Sequence, residues 1–191
     1  MGFLDVLRGK RQIKQAAPTD RVFAMTTAQI TLEMQLGLTS TGKAGICFQP
    51  LATADFEQIV RDMEEVVRSS GSDTGTTIEV TDDDFGYRWM VLVDPDFEDL
   101  VVGLNAVSTA LEAGGYGDRI LAAVFPFRDE AGKSVNWIYN YKRGAFYPFV
   151  PAAGAQQRDS ERELRLKAQI GAELPIEADL ERWFPLWGIP I

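Results

Sequence analysis

The chain has 191 residues, 46% hydrophobic and 25% charged, with a net charge of −9, one cysteine and no histidine. This length fits one globular domain, or a domain with appendages, able to bury a core without disulfides. The absence of histidine excludes Ser-His-Asp and Cys-His nucleophilic sites, His-x-x-x-His zinc proteases and carboxylate-histidine iron sites, leaving carboxylates, lysine, tyrosine or serine to any enzyme.

Charge is unevenly placed: residues 1–14 carry four bases and one acid, whereas residues 54–99 carry fourteen acids and three bases. An acidic body with a basic tip argues against nucleic acid as the main partner and permits a membrane-surface or acidic-protein contact at the tip. Phe3, Leu4 and Leu7 are spaced as one face of a short helix, followed by Arg8, Lys10, Arg11 and Lys14. Residues 1–18 therefore read as a basic amphipathic tip and linker, its apolar side chains docked on the body or touching lipid. Apolar residues precede basic ones, the reverse of a secretory signal, and Val6 stands where myristoylation needs Ser or Thr. No apolar run reaches half the roughly 20 residues of a spanning helix. The expected location is cytoplasmic, peripheral at the inner face of the cell membrane if the tip meets lipid.

Residues 19–191 read as one α+β domain. Thr19 or Asp20 caps a short helix with Val22 and Phe23. Ile30, Leu32, Met34 and Leu36 then alternate with polar residues, the period of a half-buried strand, although Leu, Met, Glu and Gln also favour helix. Leu38–Lys43 is a turn, and Ala44–Gln49 a second strand holding Cys47 as a reduced core thiol. Thr53 caps a helix with Phe56, Ile59, Val60, Met63, Val66 and Val67 on one face, stopping at Ser69–Ser72. Thr76–Thr81 and Tyr87–Val93 form a hairpin closed by Asp82–Gly86. Asp94 is the expected cap of a helix with Pro95 in first position, stopped by Gly114 and Gly115. Ile120–Phe127 and Ser134–Tyr141 pair next, and a turn at Arg143 and Gly144 returns Phe146–Phe149. A helix follows from about Ser160 to Gly171, with Ser160 and Glu163 as a capping box, and a short helix from Asp179 to Phe184. The sum is a mainly antiparallel sheet with helices packed on one face, built from strand-strand-helix units in series.

Most chemistry-bearing clusters have structural explanations. Asp82, Asp83 and Asp84 lack the glycine and distal glutamate of a calcium loop and read as an acidic turn. Gly114, Gly115 and Gly117 follow a helix, not a strand, so they are a helix stop and not a dinucleotide loop. Asp94, Asp96, Glu98 and Asp99 suit the cap and positive end of a helix. No catalytic, cofactor-binding or metal-binding residue is assigned.

Six of the twenty aromatic residues fall between Trp137 and Phe149. In a strand, Val135, Trp137, Tyr139 and Tyr141 share one face and Asn136, Ile138, Asn140 and Lys142 the other. The first set is expected to pack under helices. Lys142, Arg143, Phe146 and Tyr147 are the parts most available to a partner. The uncharged segment 183–191, with Trp183 and Trp187, must dock on the body or on another protein. Leu164 and Ala168 lie on a different side of their helix from Leu166 and Ile170, which suggests contact on two sides.

Met1-Gly-Phe-Leu-Asp-Val-Leu-Arg-Gly-Lys10, Gly42-Lys-Ala-Gly-Ile-Cys-Phe48, Phe85-Gly-Tyr-Arg-Trp89, Tyr139-Asn-Tyr-Lys-Arg-Gly-Ala-Phe-Tyr-Pro-Phe149 and Asp179-Leu-Glu-Arg-Trp-Phe-Pro-Leu-Trp-Gly188 together resemble the PspA-associated protein PspAB family of actinobacteria. The resemblance spans nearly the whole chain. It implies a non-enzymatic cytoplasmic adaptor of a phage-shock-type envelope-stress response, with a PspA-like coiled-coil protein or another envelope-stress protein as partner, and no catalytic residue. The element order also resembles type III secretion chaperone-like domains. The alternative reading is a small-molecule-binding domain or histidine-free enzyme, its pocket lined by Trp89, Trp137 and Tyr139 between sheet and helices. A third is single-stranded nucleic-acid binding through Lys142 and Arg143.

Overall fold

Side chains alternate between the two faces of a strand, so the register of the pairing decides what each face carries. The computed structural model describes residues 19–154 and 156–191, and the basic tip at 1–18 lies outside them. Seven strands, β1 (Leu38–Ser40), β2 (Lys43–Phe48), β3 (Thr77–Asp82), β4 (Arg88–Val93), β5 (Ile120–Asp129), β6 (Ser134–Asn140) and β7 (Ala145–Phe149), form one sheet. Its order is β3-β4-β2-β5-β6-β7, and every pair is antiparallel. β1 pairs with β5 beyond the end of β2, so residues 38–48 run along one side of β5 as a bent ribbon. The bend falls at Gly42, whose φ of 70° strains any other residue and where an added Cβ would stand a tight 3.2 Å from the Asp94 carbonyl oxygen.

Helices α1 (Ala24–Leu36), α2 (Ala54–Thr74), α3 (Phe97–Ala113) and α4 (Ser160–Ile170) complete an α+β fold. The strand residues Ile46, Phe48, Leu92, Phe125, Val135, Trp137 and Tyr139 meet Leu100, Leu104 and Val107 of α3 in one buried cluster. Phe97 lies with its ring centroid 5.8 Å from Phe125 and 5.6 Å from Phe127, and each such ring contributes roughly 1.5–3 kcal/mol by burial. The opposite face carries Cys47, Trp89, Val91, Val124, Ile138, Tyr147 and Phe149. No helix covers it. The C-terminal segment does, through Trp183, Leu186, Trp187, Ile189 and Ile191. A Cβ on Gly45 would stand 2.5 Å from Ile191 Cδ1, so glycine there lets the segment lie against β2.

Several expectations are corrected. Residues 30–36 are helix, not strand: Met25, Ala28 and Leu32 are fully buried at helical spacing, while Ile30 and Met34 are 61% and 82% exposed. The good helix formers prevail because docking of one face decides between the two periods. Gly37, at φ 61°, ends α1 with its N–H on the Leu32 carbonyl. The expected turn at 38–43 begins with strand β1, and β2 sits between β4 and β5 instead of pairing in a hairpin. Helix α2 continues to Thr74. Asp96, not Asp94, caps α3 by accepting from the Glu98 N–H at 2.9 Å. Asp94 is buried and accepts from the Asp96 N–H and the Thr76 hydroxyl. The capping box at Ser160 does not form: Asp159 takes the cap, and Glu163 turns inward. The last expected helix is a 3-10 turn, Leu180–Arg182. In α4, Leu166 and Ile170 are buried, whereas Leu164 is 45% exposed. Among the described residues no helix is long and apolar enough to cross a membrane.

Candidate binding site

The segment after α4 crosses the free edge of β7 before reaching the outer sheet face. Phe146 N–H donates to the Pro175 carbonyl at 2.8 Å, and Glu177 N–H donates to the Phe146 carbonyl at 2.9 Å. These bonds close the sheet edge and direct residues 178–191 across the outer face. Trp183 anchors there: its Nε1 donates to the Glu177 carbonyl at 3.0 Å, and its ring stacks on Tyr147 at 6.1 Å. The Tyr147 hydroxyl donates to the Phe184 carbonyl at 3.0 Å, and Trp187 meets the Phe149 ring edge-on at 4.8 Å.

Between this segment, the sheet and the β3–β4 turn lies a cavity of about 440 Å³. Cys47, Trp89, Ala122 and Tyr147 line its sheet side, and Leu186 and Trp187 its outer wall. Phe85 and Phe184, 74% and 57% exposed, stand at its mouth. The charged and amide groups of the lining are Asp83, Asn140 and Lys142. Asp83 is occupied: Oδ1 accepts from the Phe85 and Tyr87 N–H groups, and Oδ2 from Trp89 Nε1, all at 2.9 Å. That geometry makes the acidic stretch a structural turn, as its residue pattern suggests. Asn140 Oδ1 has no hydrogen-bond partner, and no carboxylate among the described residues pairs with Lys142.

The expected residues divide among three places. Lys142, Tyr147 and Trp187 border or line the outer-face cavity. Phe146 is fully buried, its ring 4.6 Å from Tyr139, so it offers no ring to a partner. Arg143 pairs with Glu177 at 3.4 Å, and Trp183 is 4% exposed; both hold the tail. Phe3, Leu4, Leu7, Arg8, Lys10 and Arg11 lie outside the described residues. The pocket expected between sheet and helices does not form. Trp137 and Tyr139 are fully buried on the helix side, whereas the register of β4 turns Trp89 to the other face. Phe85, Asn140 and Phe184 were not among the expected site residues. An uncharged aromatic beside three aspartates was the one local sign for Phe85.

The cavity floor is chemically quiet. Burial, and secondarily the Asp83 charge, push the Cys47 thiol up to about 12. A thiol raised in this way stays protonated at neutral pH and loses that protection only as the pH climbs toward the shifted value. Native protein should therefore resist dithiobis(nitrobenzoate) at pH 8 and release one equivalent of thiol after unfolding in guanidinium. Rapid labelling of folded protein would show the cavity floor to be open.

The family model described as PspA associated protein B, PspAB, matches residues 1–191, the whole chain. No curated protein and no solved structure matches it. The strings around Trp89, Tyr139 and Trp183 fall on the cavity wall, the helix-side core and the tail anchor of one architecture. The chain belongs to the PspA-associated protein B family.

Proposed function

We propose that this protein is a non-enzymatic cytoplasmic adaptor of a phage-shock-type envelope-stress response, docking a helix of a PspA-like coiled-coil protein on the outer side of α1. The whole-chain family match carries this reading, because the family's description names an association with PspA. The surface of α1 supports it. Phe23 at its N-cap and Thr27, Ile30 and Met34 within it are all exposed and follow one another at intervals of four, three and four residues. That is the spacing of a coiled-coil seam, and α1 already buries its other side through Met25, Ala28 and Leu32. The tip carrying Phe3, Leu4 and Leu7 with Arg8, Lys10 and Arg11 would add a weak peripheral contact with the inner membrane face.

The test is recovery of the PspA-like protein of the same cell with tagged full-length protein, before and after membrane stress. Wild type should recover it, and Ile30→Glu/Met34→Glu should lose at least about tenfold, since charge is excluded from such a seam. Both positions are exposed, so each substitution should change stability by no more than about 0.5 kcal/mol. Equal recovery by wild type and variant would overturn the seam. Recovery of no PspA-like protein under either condition would overturn the adaptor reading.

A further inference from the structure

The outer-face cavity is unrelated to the α1 seam and has its own chemical bias. We infer that it binds a soluble aromatic acid, the ring system lying between the sheet and the C-terminal segment and the acid group meeting Lys142. Its volume of about 440 Å³ falls in the range that takes a small organic ligand. Trp89, Tyr147 and Trp187 line it, and Phe85 and Phe184 extend the aromatic surface to the mouth, a lining that favours flat rings through stacked and edge contacts.

The charges select an anion. Lys142 is the single cation of the lining and has no carboxylate partner among the described residues. Asp83, the single lining carboxylate, is already held by three N–H donors, which compensate its charge. Asn140 ends β6 and Lys142 stands in the β6–β7 turn, and both line the cavity. Asn140 Oδ1 lacks a partner, and rotation of the amide offers a ligand either a donor or an acceptor. The walls come from β2, β4, β5, β6, β7, the β3–β4 and β6–β7 turns and the tail, all within one hydrogen-bonded sheet and its cover, so this chain alone supplies the lining.

Two dyes of the same ring body test this: 8-anilinonaphthalene-1-sulfonate, which carries an acid group, and N-phenyl-1-naphthylamine, which does not. Full-length protein should bind one sulfonate dye per chain, about fivefold more tightly than the neutral dye at low salt, the ratio shrinking toward unity at 1 M salt. Lys142→Met should lower affinity for the sulfonate dye to that for the neutral dye and leave the neutral dye unchanged. Ala122→Phe, which fills the cavity, should abolish both. Near-UV circular dichroism of each variant must match wild type; should Ala122→Phe fail to fold, the two dyes on Lys142→Met still decide. Equal affinity of wild type for both dyes, or several sulfonate dyes per chain, would overturn the proposal. Displacement of the dye by phosphatidylglycerol vesicles would overturn it as well, moving the acid from solution to a membrane lipid.

Discussion

Arg158→Met should destabilise the protein by about 3 kcal/mol, the lower end of the range for breaking a buried pair, and lower Tm by about 6–12 °C. Glu163 is 2% exposed, and its carboxylate accepts from the Val150 N–H at 2.9 Å and from Arg158 Nε at 2.9 and 3.1 Å. Arg158 also donates to the Trp183 carbonyl at 2.6 Å and lies over the Phe149 ring at 5.8 Å. One guanidinium thus ties α4, the end of β7 and the C-terminal segment together. Without it the carboxylate stays buried with a single donor, the configuration that costs most. Its own 24% exposure lets water return to the gap, which places the expectation at the lower end. Removing both charges, as Arg158→Met with Glu163→Leu, should recover part of the loss, because an apolar pair leaves only the Val150 N–H and the Trp183 carbonyl to be compensated. Urea denaturation of the four proteins in the cycle measures this, provided the m-values agree. A loss below about 1 kcal/mol for Arg158→Met would place the pair among ordinary surface ion pairs.

The same region shows why part of the architecture was legible and part was not. The faces of β6 could be read directly, because Val135, Trp137 and Tyr139 alternate with Asn136, Ile138 and Asn140 over a full strand, and the first three join the helix-side cluster while Ile138 joins the outer one. The acidic hairpin was legible because Asp82–Gly86 joins two strongly β-forming runs. Segment 183–191 carried its own constraint: uncharged and rich in rings, it needed a surface, and it found the outer sheet face. Ile30–Leu36 was ambiguous for a physical reason. Ile30 and Met34, like Leu32 and Leu36, are four residues apart, a spacing that shares one face both in a strand and in a helix, so both periods fit, and only the docking of Met25, Ala28 and Leu32 separates them. β1 is three residues long, too short to show a period. Glu163 satisfied a local capping pattern, yet Asp159 is the better-placed cap, and a buried N–H of Val150 claimed the glutamate. The cavity left almost no local trace. Its lining runs from Cys47 to Ile189, and pairing of distant strands, which no short window records, brings those residues together.

Deleting residues 183–191 should have the largest effect of all, a loss on the order of 5 kcal/mol or more, enough to exhaust a typical domain's stability. The segment is the cover of the outer sheet face, and without it Trp89, Val91, Val124, Ile138, Tyr147 and Phe149 meet water as one apolar patch. Three hydrogen bonds that involve side chains vanish too, those of Trp183 Nε1 with Glu177, of Arg158 with the Trp183 carbonyl and of Tyr147 with the Phe184 carbonyl. Tyr147 would change character as well. Burial now raises its phenol above the ordinary value, so the fold keeps that contribution below about pH 10 and loses it as pH climbs toward the shifted value. Uncovered, the phenol should titrate normally, visible as earlier tyrosinate absorbance in any folded fraction. Size-exclusion chromatography should show aggregates where the full chain elutes as a defined species. A truncated chain that remains non-aggregated, with Tm within about 2 °C of the full-length value, would show the cover to be dispensable. Gly45→Val separates the end of the segment from its anchor. The new side chain meets Ile191 and the Trp89 ring but leaves the Trp183 bonds in place. It should therefore cost no more than about 1–3 kcal/mol. The difference between the two variants assigns the stability of the outer face chiefly to the Trp183 anchor, and the final residues to the closing of the cavity.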